Sequence, residues 1–184
     1  MMKRICLVLV FALLAGGAVA SKSRWKNFYS KESKVGFKYL AGWKLEHGES
    51  STADDQGFKE IATVRTPEGA YPGTNFVGAR ATLSVASVPE ATCKKFSPST
   101  PDPSPRRRVK VGNNMFYRVT GSEGAAGHII ETRIYRTFHD GRCYQFDLEL
   151  DQANMGNYDK GTVRAVNDRK VFAKMEASVR SLYF

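Results

Sequence analysis

Histidine, cysteine and tryptophan are scarce in this chain, and their scarcity narrows the chemistry that it can support. The 184 residues include three His, three Cys and two Trp. Neither the H-E-x-x-H motif of zinc proteases nor the G-x-S-x-G turn of serine hydrolases occurs. His47, His128 and His139 are best interpreted as ordinary surface residues. The sequence therefore predicts no catalytic residue and no cofactor, although a Ser/His/Asp set assembled from distant positions stays open.

Long hydrophobic runs are also missing, with one exception at the start of the chain. Residues 1–20 contain Lys3 and Arg4, then an apolar run, and end in the small residues AVA. This layout predicts a secretory signal peptide with cleavage before Ser21. The apolar run is shorter than the roughly 20 residues that a membrane-spanning helix needs. We therefore expect a periplasmic or secreted protein with no transmembrane anchor in its mature chain.

Acidic residues are outnumbered, since 18 Asp and Glu stand against 28 Lys and Arg, for a formal net charge of +10 at pH 7. Hydrophobic residues make up 42% of the chain and charged residues 25%, which is typical of a globular protein. We expect one domain over residues 21–184, because that length suits a single core. The basic balance favours an anionic partner, such as an envelope component, but many secreted proteins are basic without binding a polyanion.

Two cysteines remain once the predicted signal peptide, which contains Cys6, is removed. Cys93 and Cys143 would then meet the oxidising environment of an export pathway, where disulfides persist. We predict that they form one disulfide, which would stabilise the fold by roughly 4 kcal/mol in the chain-entropy model. The alternative is a pair of free or metal-binding thiols, for which the neighbouring sequence offers no further ligands.

The pattern of apolar residues predicts an antiparallel sheet. Two alternating runs on either side of the tripeptide HDG (139–141) form the clearest hairpin. A three-residue turn there would pair Ile134 with Phe146 and place Arg133 opposite Asp147. A two-residue turn would instead set Ile134 against Asp147, which is the less favourable pairing.

Helices are predicted at two places after the sheet begins. PEATCKKF (89–96) suits one or two helical turns, with Pro89 at the start. Near the end of the chain, Asn167 or Asp168 can cap an amphipathic helix. Apolar residues follow at spacings of three and four, as expected for one buried helix face: Val171, Phe172, Met175, Val179 and Leu182.

Three segments resemble the PsbP-like group of exported α/β-sandwich proteins. They are FYSKESKVGFKYLAGW near the start, YRTFHDGRCYQFDLEL in the hairpin and the closing SVRSLYF. GFKY (36–39) and GW (42–43) fit the aromatic-rich opening of that group, Leu40 replaces its usual proline, and SLYF (181–184) fits its ending. The resemblance implies an α+β fold, in which helices, including an amphipathic C-terminal helix, flank an antiparallel β-sheet. It implies no catalytic residue.

A proline-rich basic segment is the first candidate for binding. SPSTPDPSPRRR (97–108) is predicted to be a surface loop inside the domain, and it ends in Arg106, Arg107 and Arg108. Three guanidinium groups on a stiff loop suit phosphates or carboxylates. Interleaved aromatic residues, expected where single-stranded nucleic acid binds, are missing, so no specific nucleic-acid partner is predicted. The alternative interpretation is a solvated loop tip.

A second candidate consists of three acidic residues at alternate positions, Asp147, Glu149 and Asp151. One strand face would carry all three carboxylates, which is a weak indication of a Ca²⁺ site. The alternative is a solvated strand face paired with Arg133 and its neighbours, and we therefore predict no metal site.

Three functional hypotheses follow. The first is an exported, non-enzymatic binding or accessory protein whose partner the sequence does not name. The second is a small exported hydrolase with a dispersed active site, which a deep pocket holding a histidine or paired carboxylates would favour. The third is a basic module that docks on anionic envelope polymers through Arg106, Arg107 and Arg108.

Overall fold

A computed structural model describes residues 24–48, 53–96 and 103–184 of the chain. The predicted signal peptide (1–20) and the first half of the proline-rich segment lie outside the described residues. The strands and helices, in chain order, are β1 (Trp25–Ser30), β2 (Val35–Leu40), β3 (Lys44–His47), β4 (Lys59–Arg65), β5 (Phe76–Ala86), α1 (Glu90–Lys94), β6 (Arg107–Val111), β7 (Asn114–Ala125), β8 (His128–His139), β9 (Arg142–Ala153) and α2 (Asp168–Arg180).

Seven of the strands form one antiparallel sheet in the order β3-β4-β5-β9-β8-β7-β6. The remaining two, β1 and β2, form a separate hairpin. An antiparallel sheet with two α-helices, one of them C-terminal, confirms the predicted α+β class. Within the described residues, no helix is long and apolar enough to cross a bilayer.

Helix α2 covers one face of the sheet, which we call the inner face. The side chain of Asn167 accepts a hydrogen bond from the Lys170 backbone N–H at 2.9 Å, which confirms the predicted cap. Val171, Phe172 and Met175 are fully buried, because the apolar stripe of the helix lies on the sheet. The partners in the sheet include Leu83, Leu148 and Leu150, all fully buried.

The β1–β2 hairpin lies beside α2 on the same inner face. The ring centroid of Phe37 lies 5.3 Å from that of Phe146 in β9. Gly36 exchanges two backbone hydrogen bonds of 2.9 Å with Tyr183, just after α2. A Cβ atom at Gly36 would lie 2.4 Å from the Tyr183 ring, so this close approach requires glycine. The hairpin and the C-terminal segment are thereby joined into one layer.

The opposite, outer face of the sheet carries a smaller apolar cluster. It consists of Phe58, Ala86, Cys93 and Cys143, with α1 packed on the ends of β8 and β9. The predicted disulfide between Cys93 and Cys143 is confirmed, and the two Cα atoms lie 5.6 Å apart. The disulfide ties α1 to the outer face.

The register of the β8–β9 hairpin differs from the predicted one. His139 pairs with Arg142, so the turn has two residues, Asp140 and Gly141, rather than three. Both have positive φ, 44° and 76°, as a type I′ turn requires. Ile134 therefore pairs with Asp147, the arrangement judged less favourable, because the strong turn preference and the buried Tyr135–Phe146 pair set the register.

Candidate anion-binding site

The three consecutive arginines lie at the edge of the sheet, and their side chains point to different faces. Arg107 and Arg108 belong to edge strand β6, and only Arg106 precedes it. Arg108 pairs with Tyr117, whose ring lies 5.7 Å from the Arg106 guanidinium carbon, so these two arginines share the outer face. Arg107 points to the inner face, because side chains alternate along a strand. The predicted loop carrying three clustered guanidinium groups is replaced by a two-sided strand.

Arg107 instead acquires a new basic neighbour on the inner face. It lies directly opposite Arg118 of β7, and like charges in that position destabilise a strand pair. Among the ion pairs of the described residues, none includes Arg107 or Arg118. Arg118 does donate a hydrogen bond to the hydroxyl of Tyr135. An anion placed between the two guanidinium groups would relieve their repulsion.

A groove of about 710 Å³ begins at Arg118 on this face. Ser104 forms one wall, since its N–H donates to the Thr120 carbonyl at 2.8 Å and its Oγ accepts from the Thr120 N–H at 2.9 Å. These bonds extend the pairing of the edge beyond β6. The other lining residues include hydroxyl, basic and acidic side chains, namely Thr120, Ser122, Thr132, Glu131 and Arg133.

Helix α2 closes one side of this region with a carboxylate. Glu176 accepts hydrogen bonds from the Tyr135 hydroxyl at 2.6 Å and from Arg133 Nη1 at 2.8 Å. Burial, followed by the bond to Glu176, raises the pKa of Tyr135 to about 12, so the phenol remains neutral. The Arg133 guanidinium also lies 3.8 Å from the centroid of the Phe172 ring. The carboxylate of Glu176 thus balances the charge of Arg133, whereas no ion pair of the described residues balances the charge of Arg107 or Arg118.

The three alternating carboxylates share the outer face, as their spacing predicts. Glu149 pairs with Arg80 at 2.7 Å, and Asp151 contacts His128 Nδ1 at 2.8 Å. Asp147 accepts a hydrogen bond from Gln145 at 2.7 Å. Within the part of the chain that the structure describes, no group of three His, Cys, Asp or Glu side chains is placed to hold a metal ion.

The predicted partner of these carboxylates is wrong. Arg133 lies on the inner face with Glu176, because the shorter turn moves it out of register with Asp147. The cation that acts electrostatically on the Asp147 carboxyl is Arg136, which the sequence did not indicate. Only the correct register places Arg136 opposite Gln145 on the outer face.

Arg136 is the most enclosed charged group of the outer face, with 5% of its surface exposed. Its guanidinium carbon lies 4.5 Å from the ring centroid of Phe58 and 4.3 Å from that of Phe96. Its nitrogens donate to the side-chain oxygens of Gln145 and Gln56. Burial lowers the pKa of Arg136 to about 10, and burial likewise raises the pKa of Asp147 to about 6. This arrangement attaches the loop that contains Gln56 to the sheet.

The three histidines have different surroundings, and His47 lines a cleft together with Ser30, Ser33 and Ser87. His139 stacks on Phe184 with 4.0 Å between ring centroids, and the His47 ring lies 5.8 Å from that of Phe28. Among the described residues, no serine or cysteine side chain forms a hydrogen bond with a histidine. The cleft that His47, Glu32 and Glu60 line is a feature that the hydrolase hypothesis calls for, but among the described residues no hydrogen bond joins a histidine to such a nucleophile.

Comparisons with known proteins address the fold. No protein-family model matches the chain, and no curated protein sequence matches it. A crystal structure of a protein from Bacteroides thetaiotaomicron VPI-5482 matches with a TM-score of 0.51 and 11% identity, covering 87% of this chain and 48% of the other. The chain thus spans about half the length of that protein.

Two further solved structures match over most of their own length. LpqN, described as involved in cell envelope biogenesis of Mycobacterium tuberculosis, matches with a TM-score of 0.49 and 13% identity, covering 86% of this chain and 88% of LpqN. Cyanobacterial PsbP (CyanoP) from Synechocystis sp. PCC 6803 matches with a TM-score of 0.49 and 10% identity, covering 92% of this chain and 98% of the other. At 13% and 10% identity, neither match assigns a role or a functional residue to this chain.

Proposed function

We propose that this protein is an exported, non-enzymatic accessory protein that binds an anionic envelope polymer through the β6–β7 edge. The N-terminal sequence supports export, and the Cys93–Cys143 disulfide is compatible with it, because such bonds persist in oxidising compartments. The partner is a polymer that bears phosphate or carboxylate groups, since these anions match the fork of donors on arginine.

The observation that carries this proposal is the pair of Arg107 and Arg118, which lie opposite each other and belong to none of the ion pairs of the described residues. A protein without a partner for this edge gains nothing from opposing two cations across a strand pair. An anionic group seated between them turns the repulsion into two charge-assisted interactions. Arg106 and Arg108, on the other face of the same edge, extend the attraction to longer range.

Retention on a phosphocellulose column tests the proposal. The double variant Arg107→Ala/Arg118→Ala should elute at clearly lower salt than the unaltered protein, and its phosphate affinity should fall at least fivefold. The matched control is Lys26→Ala/Lys38→Ala, which removes the same charge from exposed positions of the β1–β2 hairpin. Equal losses in the two variants would show a response to net charge alone and would contradict a site at the edge.

A further inference from the structure

A second concave surface lies toward the other edge of the sheet, away from β6. The β1–β2 hairpin and the ends of β3, β4 and β5 enclose a half-open cleft of about 580 Å³. That volume falls within the range of sites for small molecules, roughly 300–1,000 Å³. The cleft is separate from the β6–β7 edge, since none of its lining residues belongs to β6, β7 or β8, and β8 lies between the two regions in the sheet.

Apolar side chains form the floor and one wall of this cleft. Ile61 and Val85 are only partly buried, and they continue the inner-face core into the cleft. Phe28 and Tyr29 of β1 form the wall, and Tyr29 keeps 50% of its surface exposed. An apolar or aromatic ligand would cover these surfaces, which gives a favourable free energy in proportion to the area removed from water.

The rim of the cleft carries both basic and acidic side chains. Lys59 and Arg142 line it, and neither takes part in an ion pair among the described residues. Arg142 donates to the Glu32 carbonyl at 3.2 Å and to the Tyr144 hydroxyl, and both acceptors are neutral. Two acids line the cleft as well, and Glu60 accepts a hydrogen bond from Thr63 at 2.6 Å. Glu32 is exposed.

From this combination we propose that the cleft binds a small amphipathic anion. Its aromatic or aliphatic body lies on Ile61, Val85 and Phe28, and its carboxylate, phosphate or sulfonate group meets the Arg142 guanidinium. The apolar floor of the cleft would contact the apolar body of the ligand, and Lys59 and Arg142 would attract its negative charge. The site is independent of polymer binding at the β6–β7 edge.

The aromatic sulfonate 8-anilinonaphthalene-1-sulfonate provides a probe with both chemical features. Calorimetric titration of the folded protein should show one saturable site. Arg142→Gln should weaken binding at least fivefold, and Ser87→Trp, which places a large side chain at an exposed lining position, should abolish it. Arg164→Gln, which removes an exposed arginine elsewhere, is the matched control. Arg107→Ala/Arg118→Ala should bind the probe normally, which separates this proposal from the previous one.

A measurement on the unaltered protein keeps the test independent of variant folding. Amide NMR shifts on adding the probe should change most at Ile61, Val85 and Arg142. Non-saturable binding, shifts centred on β6, or full affinity in folded Arg142→Gln and Ser87→Trp proteins would each overturn the proposal.

Discussion

The two faces of the sheet achieve stability by different physical means. The inner face is covered by α2 and the β1–β2 hairpin, and its leucines, such as Leu148 and Leu150, are fully removed from water. The outer face is covered only at one end, by α1 and the loop that contains Phe58. There a disulfide and hydrogen-bonded charges replace much of the apolar area. The stability of the outer face therefore depends on a disulfide and on hydrogen bonds, whereas the stability of the inner face depends on the burial of apolar side chains.

The largest effect is expected on the inner face. Leu148→Ala should lower the free energy of unfolding by about 4 kcal/mol, because it leaves a cavity under α2 that the close-packed surroundings cannot fill. Val77→Ala, at a position with 47% of its surface exposed, is the control and should change stability by less than about 1 kcal/mol. Urea unfolding followed by circular dichroism measures both values. A similar small loss in both variants would refute the inner-face account.

A slightly smaller loss is expected from the covalent bond of the outer face. Cys93→Ala/Cys143→Ala should lower the free energy of unfolding by about 3 kcal/mol, in the usual range for disulfides and below the roughly 4 kcal/mol that the chain-entropy model gives for a sequence separation of 50 residues. Reduction of the unaltered protein should reproduce this loss under the same urea conditions. If both treatments leave the stability unchanged, the outer face does not depend on its disulfide.

The smallest of the three effects is a pH dependence at Asp147. The pKa of its carboxyl is raised to about 6 by burial, against about 3.9 in an unfolded chain. Between pH 4 and pH 6 the folded state therefore holds a proton that the unfolded state releases, so this residue lowers stability as the pH rises. The neighbouring charges are Arg136, Asp54 and Glu149.

Asp147→Asn should remove this contribution, which is roughly 2 kcal/mol across that pH interval. Chemical unfolding at pH 4 and at pH 7 checks it, and the difference between the two values is compared with that of the unaltered protein. Asp159→Asn, the same substitution at an exposed position away from Asp147, is the matched control and should keep the pH dependence of the unaltered protein. An unchanged dependence in Asp147→Asn would show that Asp147 is not the responsible group.

The sequence predicted correctly the features that depend on residues close together in the chain or on the number of cysteines. Asn167 caps α2 through its own side chain, and the spacing of Val171 and Met175 defines a buried stripe without reference to the sheet. The pairing of Cys93 with Cys143 followed from having two cysteines in a chain that is predicted to be exported. These predictions depend on neighbours within a few residues or on simple counting.

The candidate site could not be predicted in the same way, because it depends on register. The Asp140–Gly141 turn moves β9 by one residue relative to the predicted pairing, and this exchanged the partners of Arg133. Arg107 meets Arg118 only once β6 and β7 are paired. Arg136 gave no sequence signal, since the rings that enclose it come from distant parts of the chain.

The sequence alone predicted the amphipathic C-terminal helix from its periodicity and one disulfide from its cysteine count, and its PsbP-like resemblance implied the α+β class. Tertiary structure decided which arginines of the described residues form an ion pair with a carboxylate and which do not. Three consecutive arginines are equivalent in the sequence, but strand alternation sends Arg107 to one face and Arg108 to the other. Pairing across the sheet then gave Arg107 a basic neighbour and gave Arg133 an acidic one. The electrostatic properties of a site depend on the distances between its charged groups, and those distances are set by the folded structure.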